Sequence, residues 1–131
     1  MSKTIHLAVN GTLMRGLELN GNMLAAKAVF VREATTEATY RLFSINDLYP
    51  AMMRVKSGGS AIALEIWAVP PAGLASILLN EPPGLCIGKV RLSDGSEVLG
   101  VVGEFLCCEQ GQDITQSGGW RNYKANYCAR R

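Results

Sequence analysis

The chain has 131 residues, 48% apolar and 18% charged, with 13 basic and 11 acidic side chains for a formal net charge of +2. That length fits one domain with a real core, and that apolar content excludes disorder. So even a charge balance gives no strong field for phosphates or anionic lipid, so neither a nucleic-acid nor a membrane partner is expected.

Met1-Ser2-Lys3-Thr4 leads into an apolar run, Ile5 to Val9, which Asn10-Gly11 breaks at once. The run is too short for a signal core or a membrane span, and a cytoplasmic location is expected. Arg130-Arg131 reads as a frayed end rather than a binding patch. The cysteines Cys86, Cys107, Cys108 and Cys128 include no C-x-x-C pair, and the lone His6 is not near any of them in sequence. No zinc spacing is present, and no metal or cofactor is expected. Cys107-Cys108 allows a strained vicinal disulfide; reduced thiols are the plainer reading.

Ile5 to Val9 predicts a short strand, nearly continuous in apolar residues and therefore central. A loop bounded by glycines follows, Asn10-Gly11-Thr12-Leu13-Met14-Arg15-Gly16. Leu17 to Ala26 reads as a partly helical connection interrupted at Asn20-Gly21-Asn22. Strands are predicted over Ala26–Arg32 and Thr39–Ile45. Asn46-Asp47 starts a loop that Pro50 prolongs, and Met52 to Val55 is a short strand before the turn Ser57 to Ser60.

Ala61 to Val69 is the clearest strand. It puts Ile62, Leu64, Ile66 and Ala68 on one face, and Ala61, Ala63, Glu65, Trp67 and Val69 on the other. Pro70-Pro71 ends it, and Pro71 suits the first turn of a helix from Ala72 to Leu79. Glu81-Pro82-Pro83-Gly84 breaks that helix. Cys86–Leu92 and Ser96–Val102 then form a hairpin across Ser93-Asp94-Gly95. Asp113 to Thr115 is a short extended piece, and Trp120 to Tyr127 a helix or docking tail. Few helices and no strand–helix alternation argue an α+β fold: a small mixed, mostly antiparallel β-barrel with flanking helices, one domain over residues 1–131.

Several residues carry candidate chemistry. The loop after the first strand can turn backbone N–H groups toward one point, an anion or oxyanion site; a plain tight turn is the alternative. Glu81, at a helix end in apolar surroundings, suits a general base if sheltered from water, or is a solvated loop residue. Glu65 either faces solvent or lines a pocket. Arg41, beside Tyr40, could hold a carboxylate by a bidentate contact, or lie on the surface. His6 reads as a packed or hydrogen-bonded strand residue. Gly118-Gly119-Trp120-Arg121-Asn122-Tyr123 seals one end of the barrel, rims a pocket or meets a second subunit, sealing being the plainest role.

Together these motifs resemble the γ-glutamylcyclotransferase superfamily. Its Tyr-Gly-Thr/Ser-Leu-type loop is matched by Asn10 to Gly16, its next signature by Tyr40-Arg41-Leu42, and the strand before its helix by Glu65 to Pro70. Glu81 falls close to where that family has its catalytic glutamate. The second half is similar to the C-terminal domain of allophanate hydrolase, which an amidase domain precedes. The match there runs through Gly84 to Val90, Asp94-Gly95, Val98 to Gly100, Asp113 to Thr115 and Gly118 to Tyr123. The resemblance spans about Leu7 to Tyr123. Three positions depart from it: Asn10 stands where cyclotransferases often carry an aromatic, Thr12 where the allophanate hydrolase domain carries a histidine, and Glu81, which suits the cyclotransferase pattern, has no clear match in the allophanate hydrolase domain. Without that histidine, decarboxylation of N-carboxycarbamate is not implied here.

The resemblance implies a domain that binds or acts on a small carboxylated amide or amine. Glu81 is then the catalytic base, with Asn10, Gly11, Thr12, Leu13, Tyr40 and Arg41 binding substrate. The alternative is a non-catalytic accessory domain partnering a separately encoded amidase. A module sensing a small carboxylate is a third reading, and a homodimer stays open.

Overall fold

A computed structural model of the chain describes residues 3–127. Cys128 and Arg130-Arg131 lie outside the described residues. Eight strands form two sheets. In chain order the elements are β1 (Ile5–Val9), α1 (Asn20–Ala25), β2 (Val29–Thr35), β3 (Tyr40–Ile45), β4 (Tyr49–Arg54), β5 (Ala63–Val69), α2 (Pro71–Leu79), β6 (Leu85–Arg91), β7 (Glu97–Gly103), α3 (Phe105–Glu109), β8 (Gln112–Asp113) and α4 (Trp120–Asn126). A short 3-10 turn, Thr115–Ser117, precedes α4.

The larger sheet has the order β2-β5-β1-β7-β6, and the smaller β4-β3-β8. The apolar run of β1 is central, as its composition predicts. It pairs antiparallel with β5 along its whole length and parallel with β7 through Leu7 and Ala8. Every other pairing is antiparallel. The sheet does not close into the expected barrel. Its edge strands β2 and β6 are joined at their ends, by the bridge Thr36↔Leu92 and by bonds from Ser93 N–H to the Thr35 carbonyl, Glu37 N–H to the Arg91 carbonyl and Thr35 Oγ1 to Ser93 Oγ, and β3, β4 and β8 split off as a separate sheet.

The β6–β7 hairpin turns where Asp-Gly predicts it. Gly95 has φ +89°, and Asp94 Oδ1 accepts from the Ser96 N–H at 2.9 Å. In α2, Pro70 is the N-cap and Pro71 the first helical residue, where a missing N–H costs nothing. Two segments differ from expectation. β2 starts at Val29 rather than Ala26, because Lys27 adopts φ +63° to turn the chain out of α1, whose helix begins at Asn20 instead of breaking there. Asn46 and Asp47 make a tight hairpin turn with φ +55° and +59°, a conformation these short polar side chains tolerate. The following strand therefore begins at Tyr49 and includes Pro50, which is allowed because β4 is an edge. The sequence gives no clear sign of α3, only five residues long.

The core is one continuous cluster joining both sheets. Leu7, Val69, Leu42, Ile62 and Trp120 are wholly shielded from solvent. Each such aliphatic side chain contributes roughly 1.5–3 kcal/mol by leaving water. His6, read from sequence as a packed or hydrogen-bonded residue, is exposed on β1. Cys86, Cys107 and Cys108 are free thiols. Burial, with the neighbouring Cys107 and Cys86, pushes the Cys108 thiol up to about 12.

Candidate functional site

In the turn that leaves β1, the carbonyls of Gly11, Thr12 and Leu13 are occupied and the amides of the same three residues are not. The Gly11 carbonyl accepts from Met14 N–H at 3.0 Å, that of Thr12 from Leu19 N–H at 2.9 Å, and that of Leu13 from Asn20 Nδ2 at 2.9 Å. The N–H groups of Gly11, Thr12 and Leu13 find no acceptor among the described residues. Asn10 fastens the turn to β7: it is 4% exposed, and its Nδ2 donates to the Val101 carbonyl at 2.9 Å and to Met52 Sδ at 3.9 Å. Gly11 is required by close approach, since a Cβ there would lie 2.5 Å from Cδ of Pro50.

This turn forms one wall of a hollow of about 210 Å³. Tyr49 and Pro50 form another wall, and Glu81, Pro82 and Leu85 a third. Glu81 reaches it because α2 stops at Asn80, and the Glu81 N–H still bonds the Leu78 carbonyl at 3.2 Å. Its carboxylate has no hydrogen-bond or ion-pair partner among the described residues, and burial raises its pKa. The Tyr49 hydroxyl is also raised, by burial first and then by the nearby Cys107 and Glu81. The hollow thus sets unpaired N–H donors and a sheltered carboxylate around one small space. It can hold an anion or an oxyanion on the amides, and take up a proton on Glu81.

Of the residues expected at the site, Asn10, Gly11, Thr12, Leu13 and Glu81 line this hollow. Tyr40 and Arg41 do not. Tyr40 is 1% exposed, and its hydroxyl oxygen accepts from the Arg91 N–H at 3.0 Å. Arg41 pairs with Asp113 of β8. Both belong to β3, where alternation sends one side chain into the core and the next to the sheet's outer side. Tyr49 was missed; its only sequence signal is the short distance from the Asn46-Asp47 turn.

Of the two places expected for Glu65, solvent or a pocket wall, it takes the second, lining a cavity beside β5, and it is fully paired there. It is 2% exposed and accepts four hydrogen bonds. Arg15 N–H and Trp67 Nε1 donate to Oε1 at 2.9 and 3.1 Å, and Arg15 Nε and Arg121 Nη2 to Oε2 at 3.0 and 3.1 Å. Burial alone would raise its pKa, but these donors, chiefly Arg15, outweigh burial and hold it below the ordinary carboxylate range. Arg15 also stacks on the Phe30 ring at 3.7 Å and pairs with Glu33 at 2.8 Å. One buried carboxylate therefore fixes the far end of the turn and the start of α4 to β5. In the Gly118–Tyr123 motif, Trp120 is wholly buried and seals the core, while Arg121 completes this cluster.

No group of His, Cys, Asp and Glu among the described residues could hold a metal ion. No helix among them is long and apolar enough to cross a membrane.

Comparison with known proteins places the chain in a family. Residues 5–125 match the model of the allophanate hydrolase C-terminal domain. The crystal structure of a uropathogenic E. coli-specific protein is 55% identical and superposes with a TM-score of 0.91, covering 95% of this chain and 98% of that one. Urea amidolyase of Saccharomyces cerevisiae is 33% identical over 133 residues, 93% of this chain. The chain spans only about 7% of the length of the urea amidolyases it matches. An AIG2-like protein of Mus musculus (GGACT) shares the fold, at 21% identity and a TM-score of 0.59, over 77% of this chain and 76% of that one. The fold is thus of the expected γ-glutamylcyclotransferase-like kind, and the chain belongs to the allophanate hydrolase C-terminal domain family.

Proposed function

We propose that the hollow binds a small carboxylated amide or amine and that Glu81 is its general base. The observation that supports this reading is the pairing of three acceptor-free N–H groups with one sheltered, unpartnered carboxylate across a single small space. In cyclotransferase-like chemistry, Glu81 takes a proton from the α-ammonium of a γ-glutamyl amine. The freed amine attacks the γ-carbonyl carbon, and the carbonyl oxygen becomes an oxyanion held by the N–H groups of Gly11, Thr12 and Leu13. The bond to the departing nitrogen breaks as Glu81 passes that proton to it, and the attacking nitrogen's second proton goes to the released amine, giving 5-oxoproline and an ammonium ion. A raised carboxylate pKa keeps such a base matched to proton transfer near neutral pH. The hollow is smaller than the roughly 300–1,000 Å³ of drug-sized pockets, which suits a small metabolite.

The test is turnover of γ-glutamyl amines and small carbamates by the wild-type chain and by Glu81→Gln. The variant should lose about 100- to 10,000-fold in kcat while its ligand Kd holds. Turnover undiminished in the variant would sink the assignment of the base.

A second reading, an accessory domain seated against an amidase, is supported by exposed apolar side chains on the hollow and on the segments joined to it. Leu48 lines it and is 65% exposed. Leu79, 86% exposed, ends α2 two residues before Glu81. Phe105 and Leu106, both exposed, follow Glu104, whose N–H bonds the Gly84 carbonyl at 2.8 Å. Exposed apolar side chains grouped in this way suit a protein-covered face. The length of the urea amidolyases supplies a context for such a cover, and a second copy of the chain is the other candidate. On this reading Phe105→Asp abolishes association with a co-expressed amidase, and Glu81→Gln leaves it intact.

A further inference from the structure

The chemistry assigned to the hollow employs two of its walls, the amides of the turn and the carboxylate of Glu81. We propose that Tyr49, on the remaining wall, donates its hydroxyl hydrogen to the substrate's carboxylate and so selects amides whose attacking amine stands on a carboxylate-bearing carbon. This rests on the reading of the hollow given above and adds a specificity-determining residue to it.

Three observations carry the assignment. First, the described residues that line the hollow include no arginine, lysine or histidine, so an anionic group there is held by neutral donors. The Asn10 amide is spent on Val101 and Met52, and the three free N–H groups go to the oxyanion. The side-chain donors left on the lining are the hydroxyls of Thr12 and Tyr49.

Second, the Tyr49 hydroxyl is free and reachable. Tyr40 and Tyr123 spend their hydroxyls on the Arg91 N–H and on Asp47; that of Tyr49 has no hydrogen-bond partner among the described residues. Trp120 Nε1 is the one fully shielded side-chain nitrogen or oxygen among them without a partner, so the unpaired Tyr49 hydroxyl is open to solvent.

Third, the ring is held in place. Tyr49 pairs with Ile45 across the tight turn, and the next residue, Pro50, abuts Gly11. Burial, then Cys107 and Glu81, raise the hydroxyl's pKa, so it keeps its proton at neutral pH. Cys107 itself packs at Gly84, where a Cβ would lie 3.0 Å from its own. The two groups that act on the hydroxyl thus lie at the two ends of the Glu81–Gly84 segment.

Ligand geometry sorts the donors. In the cyclised product the carbonyl carbon and the carboxyl-bearing carbon flank the ring nitrogen, so oxygen, nitrogen and carboxylate point in three directions. The amides take the oxygen, and Glu81 the nitrogen. The Thr12 hydroxyl belongs to the same turn as the amides, and Pro50 has no N–H. Tyr49 is left for the carboxylate, in a charge-assisted bond stronger than a neutral one.

The experiment measures, by calorimetry, the binding of 5-oxoproline and of 2-pyrrolidinone, the same ring without the carboxylate, to the wild-type chain and to Tyr49→Phe. The substitution removes one oxygen that bonds nothing in the fold. It should weaken 5-oxoproline about 10- to 100-fold and leave 2-pyrrolidinone unchanged. Equal 5-oxoproline affinity in the two proteins overturns the proposal, and so does an equal loss for both ligands. A wild type that binds no 5-oxoproline, or binds 2-pyrrolidinone as tightly, overturns it as well. Turnover separates this from the assignment of the base. If Tyr49→Phe weakens 5-oxoproline alone while the wild type turns over no γ-glutamyl amine, the base falls and Tyr49 stands. If γ-glutamyl amines are turned over and 5-oxoproline affinity ignores Tyr49, Tyr49 falls and the base stands.

Discussion

Glu65 and Glu81 are the same residue type, each at the edge of the same turn, in opposite surroundings. Glu65 is deeply buried yet receives four donors from Arg15, Trp67 and Arg121, and its pKa is lowered. Glu81 is less buried yet receives none among the described residues, and its pKa is raised. Depth does not decide a carboxylate's character here; the supply of donors does. The supplied carboxylate holds the structure together. The unsupplied one is left with proton chemistry.

The strongest way to break this contrast is to remove the supply side. Glu65→Gln takes away the charge that Arg15 and Arg121 share, and should lower unfolding stability by about 3 kcal/mol, read by urea denaturation. A loss below about 0.5 kcal/mol would mean that the cluster is no fastening. Next comes the turn itself. Gly11→Ala drives a methyl into Pro50, and should cost about 1–3 kcal/mol while abolishing ligand binding in the hollow, measured by calorimetry.

The smallest effect has the opposite sign. A raised folded-state pKa means that the fold prefers protonated Glu81, so raising the pH through that value and ionising it opposes folding. Glu81→Gln should therefore stabilise the protein at pH 7 by about 0.5–1 kcal/mol. That gain should shrink as pH falls through the raised folded-state pKa and vanish below the ordinary glutamate range. Glu65 behaves in reverse: its contribution is present above the ordinary range and is lost only as pH drops through its lowered value. Thermal melts of wild type and Glu81→Gln across pH 3–8 (roughly the span of ordinary and raised carboxylate pKa values) separate the two. Curves that stay parallel throughout would remove the distinction.

What the sequence disclosed followed how local each signal was. The β6–β7 hairpin was legible because Asp94-Gly95 sits between two apolar runs, and α2 because Pro71 opens it and Pro82-Pro83 close it. The hollow was legible in part, since the Asn10–Leu13 turn and Glu81 each ride on a sharply marked element end. The Glu65 cluster was not. Apart from Trp67 two residues on, its partners are arginines 50 and 56 residues away, and nothing near Glu65 announces them. That Tyr40 and Arg41 lie away from the hollow was not legible for the same reason: their placement depends on β3 joining the smaller sheet, a long-range outcome. The barrel failed to appear because pairing edges into a closed ring is likewise decided far from any local motif.

The contact between Gly11 and the ring of Pro50 has a mechanical consequence. Gly11 hangs from the larger sheet and Pro50 belongs to the smaller, so the hollow straddles the seam where the two meet. Whatever occupies it is gripped from both sheets at once, and slippage of one against the other would alter both walls together.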